Sequence, residues 1–173
     1  MKEDYFAHFE IPRVYHIDLN KLRKKFYELS RNLHPDMNIS SSSKSMVDEL
    51  ISNHNLAYKT LLEPLSRLKY LLELEGAHEF IESPPDPEFL MQMMDLHEEI
   101  DQVILSNNND KKLSLLNKLD QFEKESNEMG NHSLKLYDEG INNQQIIIGM
   151  VNYFVRLRYS RRLRKALLNE EEM

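Results

Sequence analysis

Few residues in this chain are spaced for covalent or acid–base chemistry. The compact His/acid cluster, His97-Glu98-Glu99 followed by Asp101, lacks the second histidine, four residues after the first, that would put two imidazoles on one helical face around zinc. Glu98, Glu99 and Asp101 indicate neither a pocket nor a third partner, which acid–base catalysis needs, so they read as a solvated acidic face. The other histidines show no ligand spacing. The chain contains no cysteine, which excludes disulfides, thiol nucleophiles and thiolate metal sites. No glycine-rich phosphate loop is present, so any ATP hydrolysis falls to a partner. Arg156, Arg158, Arg161, Arg162 and Arg164 form a basic run that can touch RNA. Pairing with acids of neighbouring helices is the simpler account, and positive charge suits the last turns of a helix. A net charge of −7 also argues against a general nucleic-acid binder. What remains is recognition: His34-Pro35-Asp36 sets an imidazole, a rigid ring and a carboxylate in succession.

The elements around that tripeptide display it. Upstream, Leu22, Phe26, Leu29 and Leu33 recur at steps of four, three and four, the apolar stripe of an amphipathic helix. Pro35 biases His34 out of the helical region, so this helix is predicted to stop near Leu33. Downstream, the polar run Ile39 to Ser45 precedes a second apolar stripe beginning at Met46. His34, Pro35 and Asp36 therefore fall on an exposed turn between two helices. The preceding helix carries Lys21, Lys24, Lys25 and Arg31 along one polar face, interrupted by Glu28. That face is either plain solvated surface or a docking face for an acidic partner.

The whole chain reads as all-α. Its 173 residues are 40% hydrophobic and 29% charged, and strand-like alternation is nearly absent. No apolar stretch approaches the roughly 20 residues of a membrane span. Met1-Lys-Glu-Asp-Tyr-Phe enters folded sequence at once, so neither a signal nor a transit peptide is expected and a cytoplasmic protein is the simplest inference. Asp4 to His8 is predicted as a short first helix, with Asp4 either its cap or a first-turn acid favoured by the dipole, and Asp18 can cap the second. Ser43 or Ser45 should start the third, with Val47, Leu50, Ala57 and Leu61 facing inward. His54 on that helix is expected to be partly buried with a hydrogen-bond partner. Pro64 suits the first turn of a fourth helix running from Leu65 to about Glu75, with Leu68, Leu71 and Leu72 on its inner face and Arg67 and Tyr70 tying it to its neighbours. Gly76 is a plausible stop.

The cluster Glu82-Ser-Pro84-Pro85-Asp86-Pro87 marks the best boundary, with stiff extended backbone. This divides the chain into residues 1–76, a Pro-rich linker at 77–86, and residues 87–173. The last part reads as three antiparallel helices forming a small bundle. The first runs from Pro87 to about Leu105. The second is capped by Asp110, uses Leu113, Leu116, Leu119 and Phe122, and runs with a kink near Gly130 to Tyr137. The third spans Gln144 to about Asn169. On the first, Phe89, Met93, Leu96, Ile100 and Val103 make the core stripe. Leu90, Met91 and Met94 are left over, with Leu90 and Met94 four apart on one side. They form either an adaptable contact surface or part of a wide apolar arc buried against a neighbouring helix or the first domain.

Asp4-Tyr5-Phe6, the His34-Pro35-Asp36 turn, Asn55-Leu-Ala57-Tyr58-Lys-Thr-Leu61 and Glu63-Pro64-Leu-Ser-Arg67-Leu-Lys-Tyr70 together resemble the J domain, the module that switches on DnaK-type ATP-driven chaperones. Pro87-Glu-Phe89-Leu90-Met91-Gln-Met-Met94-Asp95-Leu96-His-Glu98-Glu99 looks like the opening of the C-terminal bundle of HscB-type co-chaperones, and Leu157-Arg158-Tyr159-Ser-Arg-Arg-Leu163 resembles that family's last helix. The resemblance implies a four-helix J domain followed by a three-helix bundle. It implies a co-chaperone and not an enzyme, one that stimulates the ATPase of a DnaK/HscA-type chaperone and delivers to it the IscU-type scaffold of iron–sulfur cluster assembly. By the same resemblance, His34, Pro35, Asp36, Lys21, Lys24, Lys25 and Arg31 would meet the chaperone. Leu90, Met91, Met94, Asp95, Glu98 and Tyr159 would meet the scaffold. No cofactor, metal, nucleic acid or membrane enters this reading. An alternative is a general J-domain co-chaperone whose bundle binds unfolded clients; a helical enzyme has the least support.

Overall fold

A computed structural model describes residues 4–32, 41–106 and 108–168, and among the described residues every regular element is a helix. In chain order these are α1 (Tyr5–His8), α2 (Leu19–Asn32), α3 (Ser41–Leu62), α4 (Pro64–Leu74), α5 (His78–Glu82), α6 (Pro87–Ser106), α7 (Asn109–Asp138) and α8 (Gln144–Leu168). The chain divides into two compact units, Met1–Leu71 and Leu72–Met173, and the division falls inside α4.

The first unit is fixed by local capping and a small aromatic core. Asp4 caps α1 by accepting from the Phe6 N–H at 3.0 Å, and Asp18 caps α2 by accepting from Asn20 and Lys21 at 2.9 and 3.1 Å. α1 ends by closing Glu10 N–H on the Ala7 carbonyl and Ile11 N–H on the Phe6 carbonyl. That closure puts Glu10 at φ 50°, a left-handed conformation usually left to glycine. α2 and α3 pack antiparallel, with Phe26 stacked on His54 at 4.7 Å and on Tyr58 at 4.1 Å. His54 is buried and hydrogen-bonded as expected: its Nδ1 lies 2.8 Å from His8 Nε2, and its Nε2 lies 3.0 Å from Ser30 Oγ and 3.2 Å from the Phe26 carbonyl.

Pro64 opens α4, and Leu68, Leu71 and Leu72 are fully buried. Arg67, also buried, donates to the carbonyls of Leu61 (2.7 Å), Tyr15 (2.5 Å) and Leu62 (3.3 Å). The Tyr70 hydroxyl accepts from the Tyr5 N–H at 3.0 Å while the two rings stack. Gly76, at φ 73°, closes α4 in the same way that Glu10 closes α1.

Four local expectations are corrected. α3 starts at Ser41, earlier than either serine proposed as its start. Leu50 and Leu113 face outward, 51% and 60% exposed, because Ala57 and Leu61 on α3, and Leu115 and Leu119 on α7, already fill the inner faces. Asn108 rather than Asp110 caps α7, accepting from Lys111 at 3.0 Å, and this leaves Asp110 in the first turn where its charge suits the helix dipole. No helix was expected between Gly76 and the Pro cluster, but α5 lies there, packs on α8 and buries Ile81.

The second unit holds a bundle of α6, α7 and α8. Met93, Ile100 and Val103 of α6 meet Leu115 and Leu119 of α7 and Leu163 and Leu167 of α8 in one buried cluster. α7 stays helical through Gly130 rather than breaking there. The glycine instead lets α8 approach: a Cβ at Gly130 would lie 2.3 Å from Tyr153 Cγ, and one at Gly149 would lie 2.1 Å from Ser133 Oγ. Tyr153 donates to Asn127 Oδ1 at 2.6 Å, Ser160 to Glu123 at 2.6 Å, and Arg164 to Asp120 at 2.7 Å. These pairs place α7 and α8 antiparallel.

Candidate functional site

Two surfaces carry the residues singled out from sequence. On α2, Lys21, Lys24 and Arg31 are exposed. Lys25 is tied down between the carboxylates of Glu10 and Glu28. Its hydrogen bond to Glu10 raises the lysine's pKa and lowers that of Glu10. The basic face is thus three exposed cations beside one that holds the end of α1. His34, Pro35 and Asp36 lie outside the described residues.

On α6, the side-chain stripes separate as the four-residue repeat dictates. Phe89, Met93, Leu96, Ile100 and Val103 turn inward. Met91 and Met94 remain 66% and 64% exposed, Leu90 is half-buried, and Asp95 and Glu98 are exposed. α8 supplies the facing wall. Tyr159 is half-buried and meets Phe89 edge to face at 5.5 Å.

Between the two helices runs a groove of about 370 Å³. Leu90, Met93 and Met94 line it from α6, and Tyr159, Leu163 and Ala166 from α8, with His97, Arg162 and Lys165 at its edges. The structure therefore gathers Leu90, Met94 and Tyr159 around one concavity. Met91 stands outside its lining, and Asp95 turns into the neighbouring α6–α7 groove beside Gln92, Leu96 and Lys118. Glu98 continues the Leu90–Met94 ridge one turn on.

The groove's polar edge was not singled out from sequence. Its signal was present as the steps of three and four through Tyr159, Arg162, Leu163 and Ala166, but the surrounding arginine run hid it by suggesting uniform internal pairing. That suggestion holds for part of the run. Arg164 pairs with Asp120 and Glu123, which hold its proton more tightly. Arg156 donates to Ser126 at 3.0 Å and lies over the Phe122 ring, and Arg158 donates to the Ile81 carbonyl at 3.2 Å.

Among the described residues no group of three potential metal ligands comes together. No described helix is long and apolar enough to cross a membrane.

Comparison with known proteins agrees with the bundle's form. Residues 85–168 match the family model described as the HSCB C-terminal oligomerisation domain. Co-chaperone protein HscB of Proteus mirabilis is 36% identical over 104 residues, which are 58% of this chain and 60% of that protein, so the match spans less than two thirds of that relative's length. Co-chaperone protein HscB of Buchnera aphidicola is 35% identical over 122 residues, 68% of this chain and 70% of that protein. The solved structure of chaperone HscB from Vibrio cholerae superposes with a TM-score of 0.68 at 28% identity, covering 96% of both chains. With a bundle of this form, a helical unit before it and these relatives along its length, the chain belongs to the HscB family of co-chaperones.

Proposed function

We propose that this chain is a cytoplasmic co-chaperone that stimulates the ATPase of a DnaK/HscA-type chaperone and delivers to it an IscU-type iron–sulfur scaffold protein. The first unit acts as the J domain. Asp36, a few residues beyond α2 in the sequence, offers its carboxylate to the chaperone, and the exposed cations Lys21, Lys24 and Arg31 steer the two together. The bundle holds the scaffold on Leu90, Met91, Met94 and Tyr159, with Asp95 and Glu98 setting its orientation.

The observation that carries this reading is the ridge of α6. Met91 and Met94 stand about two-thirds exposed beside a groove, although the core stripe of that helix is already complete without them. Flexible thioethers on a surface suit contact with a folded partner.

Two variants test the two halves separately. Asp36→Asn keeps the side chain's shape and removes its charge; it should abolish ATPase stimulation while shifting stability by no more than about 0.5 kcal/mol. Leu90→Ala with Met94→Ala should weaken scaffold binding about a hundredfold or more, since apolar anchors cost about 2 kcal/mol each when truncated. Scaffold-independent stimulation should survive in that second variant. A folded Leu90/Met94 variant with parental scaffold affinity would rule out the docking ridge. Stronger binding of unfolded clients than of the folded scaffold would favour a general J protein instead.

A further inference from the structure

Five of the six cations of α8 fall into two groups. Arg156, Arg158 and Arg164 are engaged by rings, a carbonyl of α5 and carboxylates of α7. Arg162 and Lys165, one turn apart, line the α6–α8 groove and have no hydrogen-bond or ion-pair partner among the described residues. Between them and Leu90 and Met94 lies an apolar floor of Met93, Leu163 and Ala166. The opposite, α6 edge carries Glu98. The groove is thus apolar along its floor and basic on its α8 lip, with one carboxylate, Glu98, on the α6 ridge outside its lining.

We propose that Arg162 and Lys165 are specificity-determining residues that seat carboxylates of the docked scaffold protein, so that the segment entering the groove is apolar with an acidic edge turned toward α8. This rests on the docking reading above and names the chemistry of the partner's contact. The charge distribution supports it. A chain of net charge −7 repels an acidic partner over most of its surface. A pair of unengaged cations beside an apolar groove is then the place where such a partner gains attraction, and the opposite charge at Glu98 penalises the reversed orientation. Arg162 can offer a carboxylate two parallel N–H donors, which fixes direction as well as charge, while Lys165 adds a point charge.

The test measures affinity for the purified IscU-type scaffold over a salt series, using the full chain. Arg162→Gln with Lys165→Gln should weaken binding about tenfold and flatten its salt dependence. Lys111→Gln with Lys112→Gln, which removes the same charge at the start of α7, should leave both nearly unchanged. Equal losses in the two variants would mean that only net charge matters and would overturn the proposal. Loss in the Leu90/Met94 double variant combined with parental affinity and salt dependence in the Arg162/Lys165 variant would also overturn it, while leaving the docking reading intact. No loss in the Leu90/Met94 variant would instead remove the docking reading and this proposal with it. A chain ending at Leu168 should bind as the parent does. A tenfold gain there would assign the cations to the chain's own Glu170-Glu171-Glu172 and refute the role given to the scaffold.

Discussion

Replacing Gly130 by alanine should destabilise the bundle, although alanine is the better helix former. In the interior of α7 that exchange alone is worth about 1 kcal/mol in alanine's favour. The new methyl, however, would sit 2.3 Å from Cγ, 2.5 Å from Cδ2 and 2.9 Å from Cβ of Tyr153. Carbon atoms in contact are about 3.5–4.0 Å apart, so helix or ring must move by more than an ångström. The ring has little room, since Tyr153 is 7% exposed and its hydroxyl is held by Asn127 at 2.6 Å. Overpacking costs about 1–3 kcal/mol, and loss of the tyrosine's hydrogen bond adds about 1 kcal/mol. Less the propensity gain, the net cost is about 1–3 kcal/mol. For a unit of this size that lowers the melting temperature by about 4–8 °C per kcal/mol. Thermal melts followed by far-UV dichroism read the shift directly. Tyr153→Leu combined with Gly130→Ala should recover part of it, giving a positive coupling in a double-mutant cycle. Gly149→Ala should cost less, because its closest neighbour is the Ser133 hydroxyl, which can rotate away. A Gly130→Ala protein that melts at or above the parent would refute the reasoning.

Two further outcomes concern the first unit. Burial first, and then the neighbouring His8, hold the pKa of His54 below its ordinary value, against the opposing hydrogen bond to the Phe26 carbonyl. The unfolded chain protonates near pH 6.5 and the folded one only at lower pH, so His54's contribution is full above that value and declines as pH falls through the window below it. His54→Leu should therefore flatten the loss of stability between pH 7 and 5 in denaturant titrations, and an unchanged slope would clear His54 of that role. On α2, Lys21→Glu with Lys24→Glu should slow association with the chaperone as high salt does, with little effect on dissociation. An affinity indifferent to both salt and these substitutions would leave the face merely solvated.

The sequence made the helices legible wherever a single face decided them. The stripe from Phe89 to Val103, the Asp4 and Asp18 caps and the Gly76 stop are all local rules, and the structure follows them. It was less readable where two patterns competed. Leu113 and Leu115 are both apolar, and only the positions of α6 and α8 decide that Leu115 goes inside. Gly130 signals weakness in a helix and also closeness to a neighbour, and periodicity cannot tell these apart. α5 was hidden by the prolines after it, because a five-residue helix is stabilised by burying Ile81 on α8 rather than by its own propensity. The ridge of Leu90, Met91 and Met94 was found by subtraction from the core stripe. The groove beside it needs two helices at once, so Arg162 and Lys165 could not be separated by sequence from the arginines that pair inside.

The close approach of α7 and α8 has a consequence for how such a protein can change over time. At Gly130 the Tyr153 ring fills the space that a side chain would need, so a larger residue there is tolerated only with a matching change at Tyr153. The outer ridge of α6 is under no such pairing, since Met91 and Met94 project into solvent. Ridge residues can therefore change one at a time without repacking the bundle, while Gly130 and Tyr153 change only together.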